Sequence, residues 1–357
     1  FNPCINRETA FFPLFPYLWK LLPSTAVAAM FLNSVLFIIG IHKLKSTFSI
    51  STENLLMYFS LPSVFFFLMP YSESAQFAGI AFILAGIKQN RIMEIISGTL
   101  IAALARPTFS VMIPAIIIVS FICYLDKSNW KKFIVCNTLP IIFFSLAGFF
   151  IVALIEWYQT GVWWAMIKVQ DCWEHGLHPF SFPILSWGKS MIHRYDGINM
   201  TVSFTIGICL LFWFVKRFIL KNVDSMKIDS ITLFGLIYLV GIGMTIFLFQ
   251  KDSHSLNRYM ICSPFALLTL NWIRTDLNLS VQKNSLIVVI LVLCTILFGS
   301  FSHIQTLLYY IVNIVVIVFI IFTNDKNFIV RFIIPYTILT SFQIVLVYNF
   351  MIGEWIA

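Results

Sequence analysis

The sequence predicts an all-α fold, a polytopic bundle of about 11–13 transmembrane helices. Composition is the first reason: of 357 residues, 60% are hydrophobic, 38 are phenylalanine and only 11% are charged. A soluble domain carries about 25% charged residues, and a water-facing surface cannot be built from so few. Pattern is the second. Apolar runs of helix length recur from Ser24 to Ile352 between short polar breaks, and about 20 such residues cross roughly 30 Å of hydrocarbon. The third is charge, because basic residues gather in alternate breaks, as loops on one side of a membrane do.

A first span near 24–41 ends ahead of Lys43 and Lys45. The next, 55–70, contains Pro62 and is followed by a run at 73–87 that stops before Lys88 and Arg91. Spans at 92–105 and 108–125 meet at Arg106, and the second carries Pro114. Lys127, Lys131 and Lys132 precede 133–155, which contains Pro140. The longest polar stretch, Glu156 to Met200, separates it from 201–215. Lys216, Arg217, Lys221 and Lys227 lead into 230–249, and 259–272, with Pro264, follows Arg258. Spans at 285–300, 304–322 and 332–352 complete the set, with Pro335 in the last. Prolines inside these runs predict kinks, tolerated because neighbouring helices satisfy the freed carbonyls, and the shorter runs are candidates for re-entrant segments. No internal repeat of fixed period or low-complexity linker is visible, which predicts a single membrane domain over 1–357.

Positive residues accumulate on the cytoplasmic side, so the lysine- and arginine-rich breaks face the cytoplasm and the start of the chain faces the other way. The net charge of +8 is thereby explained without nucleic acid. Arg7, Lys20, Arg106, Lys168, Lys189, Arg194, Lys251 and Arg258 fall on the opposite side, against the bias, and need another reason. That side also holds 156–200, read as a large non-cytoplasmic loop with Asp171, Glu174, His175, His178, His193 and Asp196. Residues 1–23 read as a partial first outer loop whose segment 9–22 lies along the membrane interface, and Val162 to Trp173 reads the same way, since Trp and Tyr favour headgroup depth. Among seven cysteines there is no CxxC pair, and only Cys4 and Cys172 are placed to meet outside the cytoplasm.

Four separated pieces of sequence carry a family resemblance. Ala10-Phe11-Phe12-Pro13-Leu14-Phe15-Pro16 comes first, then Pro70-Tyr71-Ser72-Glu73-Ser74, then Ala105-Arg106-Pro107-Thr108. The fourth is split between Lys168-Val169-Gln170-Asp171-Cys172-Trp173-Glu174-His175-Gly176, with Pro179 beyond, and Asn257-Arg258-Tyr259, with Pro264 beyond. In this order, over about residues 9–270 and all on the non-cytoplasmic face, they resemble the mannosyltransferases that add the second mannose of the glycosylphosphatidylinositol anchor, with their bacterial relatives, in the GT-C glycosyltransferase superfamily. The resemblance implies a GT-C-type bundle and transfer of mannose from a polyprenyl-phosphate donor, dolichyl phosphate in eukaryotes, to an acceptor hydroxyl outside the cytoplasm. Such families begin with a membrane span and a first outer loop carrying a catalytic carboxylate, commonly in a Trp-Asp pair before the Ala-Phe-Phe-Pro element. This chain starts with Phe1, so the amino-terminal span and the main base are expected upstream.

Glycosyl transfer from a lipid phosphate needs a carboxylate to take the acceptor proton, cations to hold the phosphate and a dry pocket for an oxocarbenium-like transition state. Glu8, next to the first motif, and Glu73, at the lip between two apolar runs, are the candidate catalytic carboxylates of this chain. Glu73 is expensive to bury unless paired or wet, and Arg106 and Arg258 are its two candidate partners. The alternative for Glu73 is an ion pair that only locks the bundle. Arg106, Arg258 and Tyr259 are candidates for the donor phosphate, because guanidinium forks match phosphate; the alternative for each Arg is snorkelling into headgroups. Lys168, Gln170, Trp173 and His175 are candidates for binding sugar or acceptor, against a plain interfacial helix. His175 and His178 are four apart, but Gly176 and Pro179 oppose a regular helix and no HExxH is present, so no metal site is expected.

The expected function is therefore an inverting mannosyltransferase. The competing readings are a lipid or polysaccharide transporter or flippase, and a catalytically incomplete fragment of the same family. Expected partners are membrane lipids, the polyprenyl-phosphate sugar donor and a glycolipid or glycan acceptor, with room for a small membrane partner. No cofactor is firmly implied, although a divalent cation serves some enzymes of this type. Richness in Ile, Phe, Lys and Asn suits an AT-rich genome and a bacterial plasma membrane, with the endoplasmic reticulum as alternative.

Overall fold

The structure, a computed structural model, describes residues 12–107, 109–127, 129–170, 172, 191–221, 228–249, 255–275, 285–298, 311, 317 and 329–352. All regular structure among them is helical, as expected. In chain order the helices are α1 (Leu14–Lys20), α2 (Ala26–Thr47), α3 (Thr52–Phe59), α4 (Glu73–Gln89), α5 (Ile92–Ala105), α6 (Phe109–Leu125), α7 (Trp130–Phe133), α8 (Leu139–Thr160), α9 (Ala165–Gln170), α10 (Met191–Phe214), α11 (Ser230–Phe249), α12 (Leu256–Ile261), α13 (Pro264–Thr275), α14 (Ser285–Phe298) and α15 (Ile334–Met351). Among the described residues four stretches, Ala26–Thr47, Trp130–Thr160, Asp196–Ile219 and Ser230–Phe249, are long and apolar enough to cross a membrane. The described residues fall into two compact units, one drawn from Phe1–Ser49, Phe66–Leu177 and Cys262–Pro264, the other from Ile50–Phe65, His178–Ile261 and Phe265–Ala357.

In the first unit α4 packs between α2 and α5, and α5 between α4 and α8. Helix α2 starts where the Thr25 hydroxyl accepts from the Ala28 amide at 3.2 Å, satisfying one of the free amides of the first turn. It runs parallel to α4: Asn33 donates to carbonyls just ahead of α4, and Gln89 at the far end of α4 donates to Thr47 at 3.1 Å. Asn90, with φ 54°, closes α4 in a left-handed conformation that Asn tolerates, and the chain turns back as α5. A β-carbon on Gly79 would lie 2.7 Å from the Ala102 nitrogen and 2.8 Å from the Gly98 carbonyl oxygen, so only glycine lets these two backbones meet. Helix α8 runs alongside α5, with Gly148 against Ala103, and α6 returns antiparallel, its Ser120 hydroxyl 2.6 Å from that of Thr138.

These directions sort the charges. Lys43, Lys88, Arg91, Lys127, Lys131 and Lys132 belong to one end of the first unit. Glu94 shares that end and bridges Lys43 at 2.7 Å and Arg91 at 3.1 Å. Tyr71, Glu73, Arg106 and Glu156 belong to the other. The first end is the one that the positive-inside rule expects on the cytoplasmic side.

In the second unit α3 lies antiparallel to α13. Asn54 donates to Asn271 at 2.8 Å and accepts from Arg274 at 2.7 Å, and Arg274 is ion-paired with Glu53. Helix α10 lies antiparallel to α11, with the Ser203 hydroxyl donating to the Leu239 carbonyl at 3.1 Å. Phe265 of α13 fills the centre, its ring 4.4 Å from Tyr238 and 4.9 Å from Phe234.

The structure redraws three of the expected segments. The run at 55–70 is no continuous span: α3 stops at Phe59 and a 3-10 helix follows over Pro62–Phe67, because Pro62 has no amide to donate and restricts Leu61 before it. The run at 259–272 is broken between α12 and α13 at Cys262 and Ser263, ahead of Pro264. The polar stretch 156–200 is not all loop, since α8 continues to Thr160, α9 lies within it and α10 begins at Met191. Most of 304–322 lies outside the described residues.

Candidate functional site

Two polar clusters form where the sequence motifs fall, one in each unit. The first is built around the start of α4. Arg106 precedes Pro107, which disfavours helical backbone, so α5 ends there and Arg106 is extended, with φ −159° and ψ 159°. Its guanidinium Nη1 forms an ion pair with the Glu73 carboxylate. Both are closed off from solvent, Glu73 at 0% and Arg106 at 7% exposure. Each charge sits at the helix end whose dipole favours it, the carboxylate in the first turn of α4 and the guanidinium just past α5. The turn before α4 is held from two sides. Asn33, wholly buried on α2, donates to the carbonyls of Met69 and Tyr71, the latter at 2.9 Å, and the Ser74 hydroxyl donates to the Phe67 carbonyl at 2.9 Å. Of the two partners open to Glu73 in the sequence, Arg106 is thus found paired with it.

A second carboxylate completes this end of the first unit. Glu156, 5% exposed near the end of α8, accepts from the Met166 amide at 3.0 Å and so caps the first turn of α9. Lys168, exposed, and Gln170, half-buried, ride on that six-residue helix, and Gln170 donates to the Met166 carbonyl at 3.3 Å. Two residues apart, they do not share a face. Aromatic rings flank α9: Trp163 stacks on Trp157 at 5.3 Å and Trp164 on Phe149 at 5.2 Å. Cys172, just beyond, is disulfide-bonded, whereas Cys136, Cys209 and Cys294 are free thiols. Glu8, Trp173 and His175 lie outside the described residues.

The second cluster surrounds α12. Asp196, fully buried on α10, accepts three hydrogen bonds: from the Asn257 amide at 2.7 Å, the Asn257 side chain at 2.6 Å and the Ser255 amide at 3.1 Å. The Asn257 side-chain oxygen in turn accepts from Ser63 at 2.6 Å. Arg258 and Tyr259 follow on the half-buried side of the helix, the guanidinium 5.8 Å from the Tyr259 ring centre. Asp196 and Asn257 were legible only as an outer carboxylate and as the first letter of a motif; the signal that joins them is their common burial, which spacing does not reveal. Among the described residues no group of three or more His, Cys, Asp or Glu side chains is placed to hold a metal ion.

No family model, no curated protein and no solved structure matches this chain. A buried Glu–Arg pair fixes a cation at a helix junction. Arg258 with Tyr259 offers a planar donor fork and a hydroxyl suited to phosphate oxygens.

Proposed function

We propose that this chain is a GT-C-type glycosyltransferase that moves mannose from a polyprenyl-phosphate donor to a lipid-linked or glycan acceptor on the non-cytoplasmic face of its membrane. The observation that carries this reading is the meeting of Glu73 with Arg106. The central residues of two motif pieces, 33 positions apart, form one buried ion pair at the end opposite the lysine-rich breaks. Motif residues that only decorate a helix surface have no need of such a partnership.

In the proposed reaction an acceptor hydroxyl oxygen attacks C1 of the mannose while the C1–O bond to phosphate breaks on the opposite face. The polyprenyl phosphate leaves with the bonding electrons, and the acceptor proton passes to a carboxylate. Arg258 and Tyr259 hold the leaving phosphate. Glu73 holds Arg106 in place, and Lys168 and Gln170 are the candidates for contact with the sugar or the acceptor. Proton transfer falls to a carboxylate of the first outer loop, where this chain carries Glu8. The function stays with the side chains, and no cofactor is assigned.

The test is transfer itself. Membranes holding the full-length protein, given polyprenyl-phosphate mannose and candidate glycolipids, are expected to yield a mannosylated acceptor. Arg258→Gln is expected to lower turnover by about 100-fold or more, the usual scale for losing a donor to developing negative charge. Substrate movement across the membrane without any covalent change would replace this reading with transport.

A further inference from the structure

Helix α12 spans only Leu256–Ile261, and a helix this short does not hold itself together, because nucleation is costly and isolated turns are marginal. Its orientation is imposed from outside. At the start, Asp196 gathers the Ser255 and Asn257 amides and the Asn257 side chain at 2.6–3.1 Å. On its inner side Ser63 donates to Asn257 at 2.6 Å. At its end the Tyr58 hydroxyl donates to the Ile261 carbonyl at 2.7 Å. Leu256, Asn257 and Met260 are the buried residues, which leaves Arg258 and Tyr259 on the remaining side.

The chemistry of this arrangement is unequal. Asp196 is 0% exposed, and burying a carboxylate is expensive unless every lone pair is used. An amide or hydroxyl would cap so short a helix at far lower cost. A buried anion that accepts from both the amide and the side chain of Asn257, directly before Arg258, and from the Ser255 amide has a different merit. Charge-assisted bonds are short and stiff, and they fix the backbone from which the guanidinium extends.

We propose that Asp196 and Ser63, acting through Asn257, are positioning residues that set where Arg258 presents its guanidinium to the phosphate of a polyprenyl phosphate. This rests on the reading of Arg258 as a phosphate contact, and it adds residues from two other segments to that contact. No bond is made or broken in it. Bidentate phosphate recognition demands placement within a fraction of an ångström, and one rigid link between α10, the 3-10 helix and α12 supplies it.

The experiment measures binding of radiolabelled polyprenyl phosphate, and separately of neutral polyprenol, to the full-length protein in lipid nanodiscs. Asp196→Asn is expected to weaken polyprenyl phosphate by about tenfold, and Ser63→Ala by about threefold, the range for losing hydrogen bonds to charged and neutral groups. Polyprenol binding should stay within about twofold, because only the phosphate contact is displaced. Asp196→Asn combined with Arg258→Gln should bind no more weakly than Arg258→Gln alone, since both remove one contact. The proposal is overturned by Asp196→Asn or Ser63→Ala binding like the wild type, by equal losses for phosphate and polyprenol, by additive losses in the double variant, or by a wild type with no preference for the phosphate. If Asp196→Asn does not fold, Ser63→Ala decides by the same criteria. Mannose transfer is read in parallel: phosphate selectivity that depends on Asp196, in a protein that transfers no sugar, sinks the glycosyltransferase reading and leaves the positioning role standing.

Discussion

Glu73 and Arg106 set a clear expectation about stability. Removing one partner of a buried pair strands the other charge, which costs about 3–5 kcal/mol, whereas replacing both by apolar residues of similar volume is often near neutral. Glu73→Ala alone should therefore destabilise the protein by about that much, and Glu73→Leu with Arg106→Met should cost markedly less. Thermal unfolding in detergent reads the difference, and equal losses for the single and double variants would remove the idea of a desolvated pair. Cys172 carries a second expectation. Because it is disulfide-bonded while Cys136, Cys209 and Cys294 are free thiols, alkylation at Cys172 should appear only after reduction, and mass spectrometry of the alkylated chain checks this. The pairing of Glu73 was narrowed by sequence to two guanidiniums. Choosing between them required knowing which helix turns back beside α4, and that is decided by Asn90 and the glycine contact rather than by any charge.

Helices α4 and α5 meet through Gly79 and Gly98. In a membrane, association draws on close packing rather than on hydrophobic exclusion of water, so volume added here forces the backbones apart. Gly79→Leu is expected to destabilise by about 1–3 kcal/mol and, because Glu73 and Arg106 sit at the end of the same helix pair, to depress any activity with it. A Gly79→Leu protein with unaltered unfolding temperature would contradict the packing. Apolar runs revealed where helices lie, but their breaks were less legible. Pro62 and Pro264 were read as kinks inside spans, yet each marks the start of a separate helical piece. Proline forbids one backbone hydrogen bond; whether the chain bends or stops there depends on what neighbouring groups supply, such as the Tyr58 hydroxyl at the Ile261 carbonyl.

At the scale of the whole molecule the property to test is sidedness. Lys43, Lys88, Arg91, Lys127, Lys131 and Lys132 belong to one end of the first unit and Glu73, Arg106 and Glu156 to the other. Single cysteines substituted at Lys45 and at Tyr158, both exposed, should separate cleanly: a membrane-impermeant maleimide applied from outside intact cells or right-side-out vesicles should label the Tyr158→Cys variant and spare the Lys45→Cys variant. The reverse result would invert the orientation and take the proposed donor chemistry with it.

That this chain is helical, with stretches apolar enough to cross a membrane, and which breaks gather the basic residues, was legible in the sequence alone, because both follow from how many residues of each kind stand next to one another. Tertiary structure alone decided that Glu73 closes on Arg106, that Glu156 caps the helix bearing Lys168, and that Asp196 anchors the turn before Arg258. Those partnerships cross 10 to 61 positions. A polar residue in an apolar chain announces that it must find a partner, but which partner is set by the packing of helices, and no local pattern encodes that.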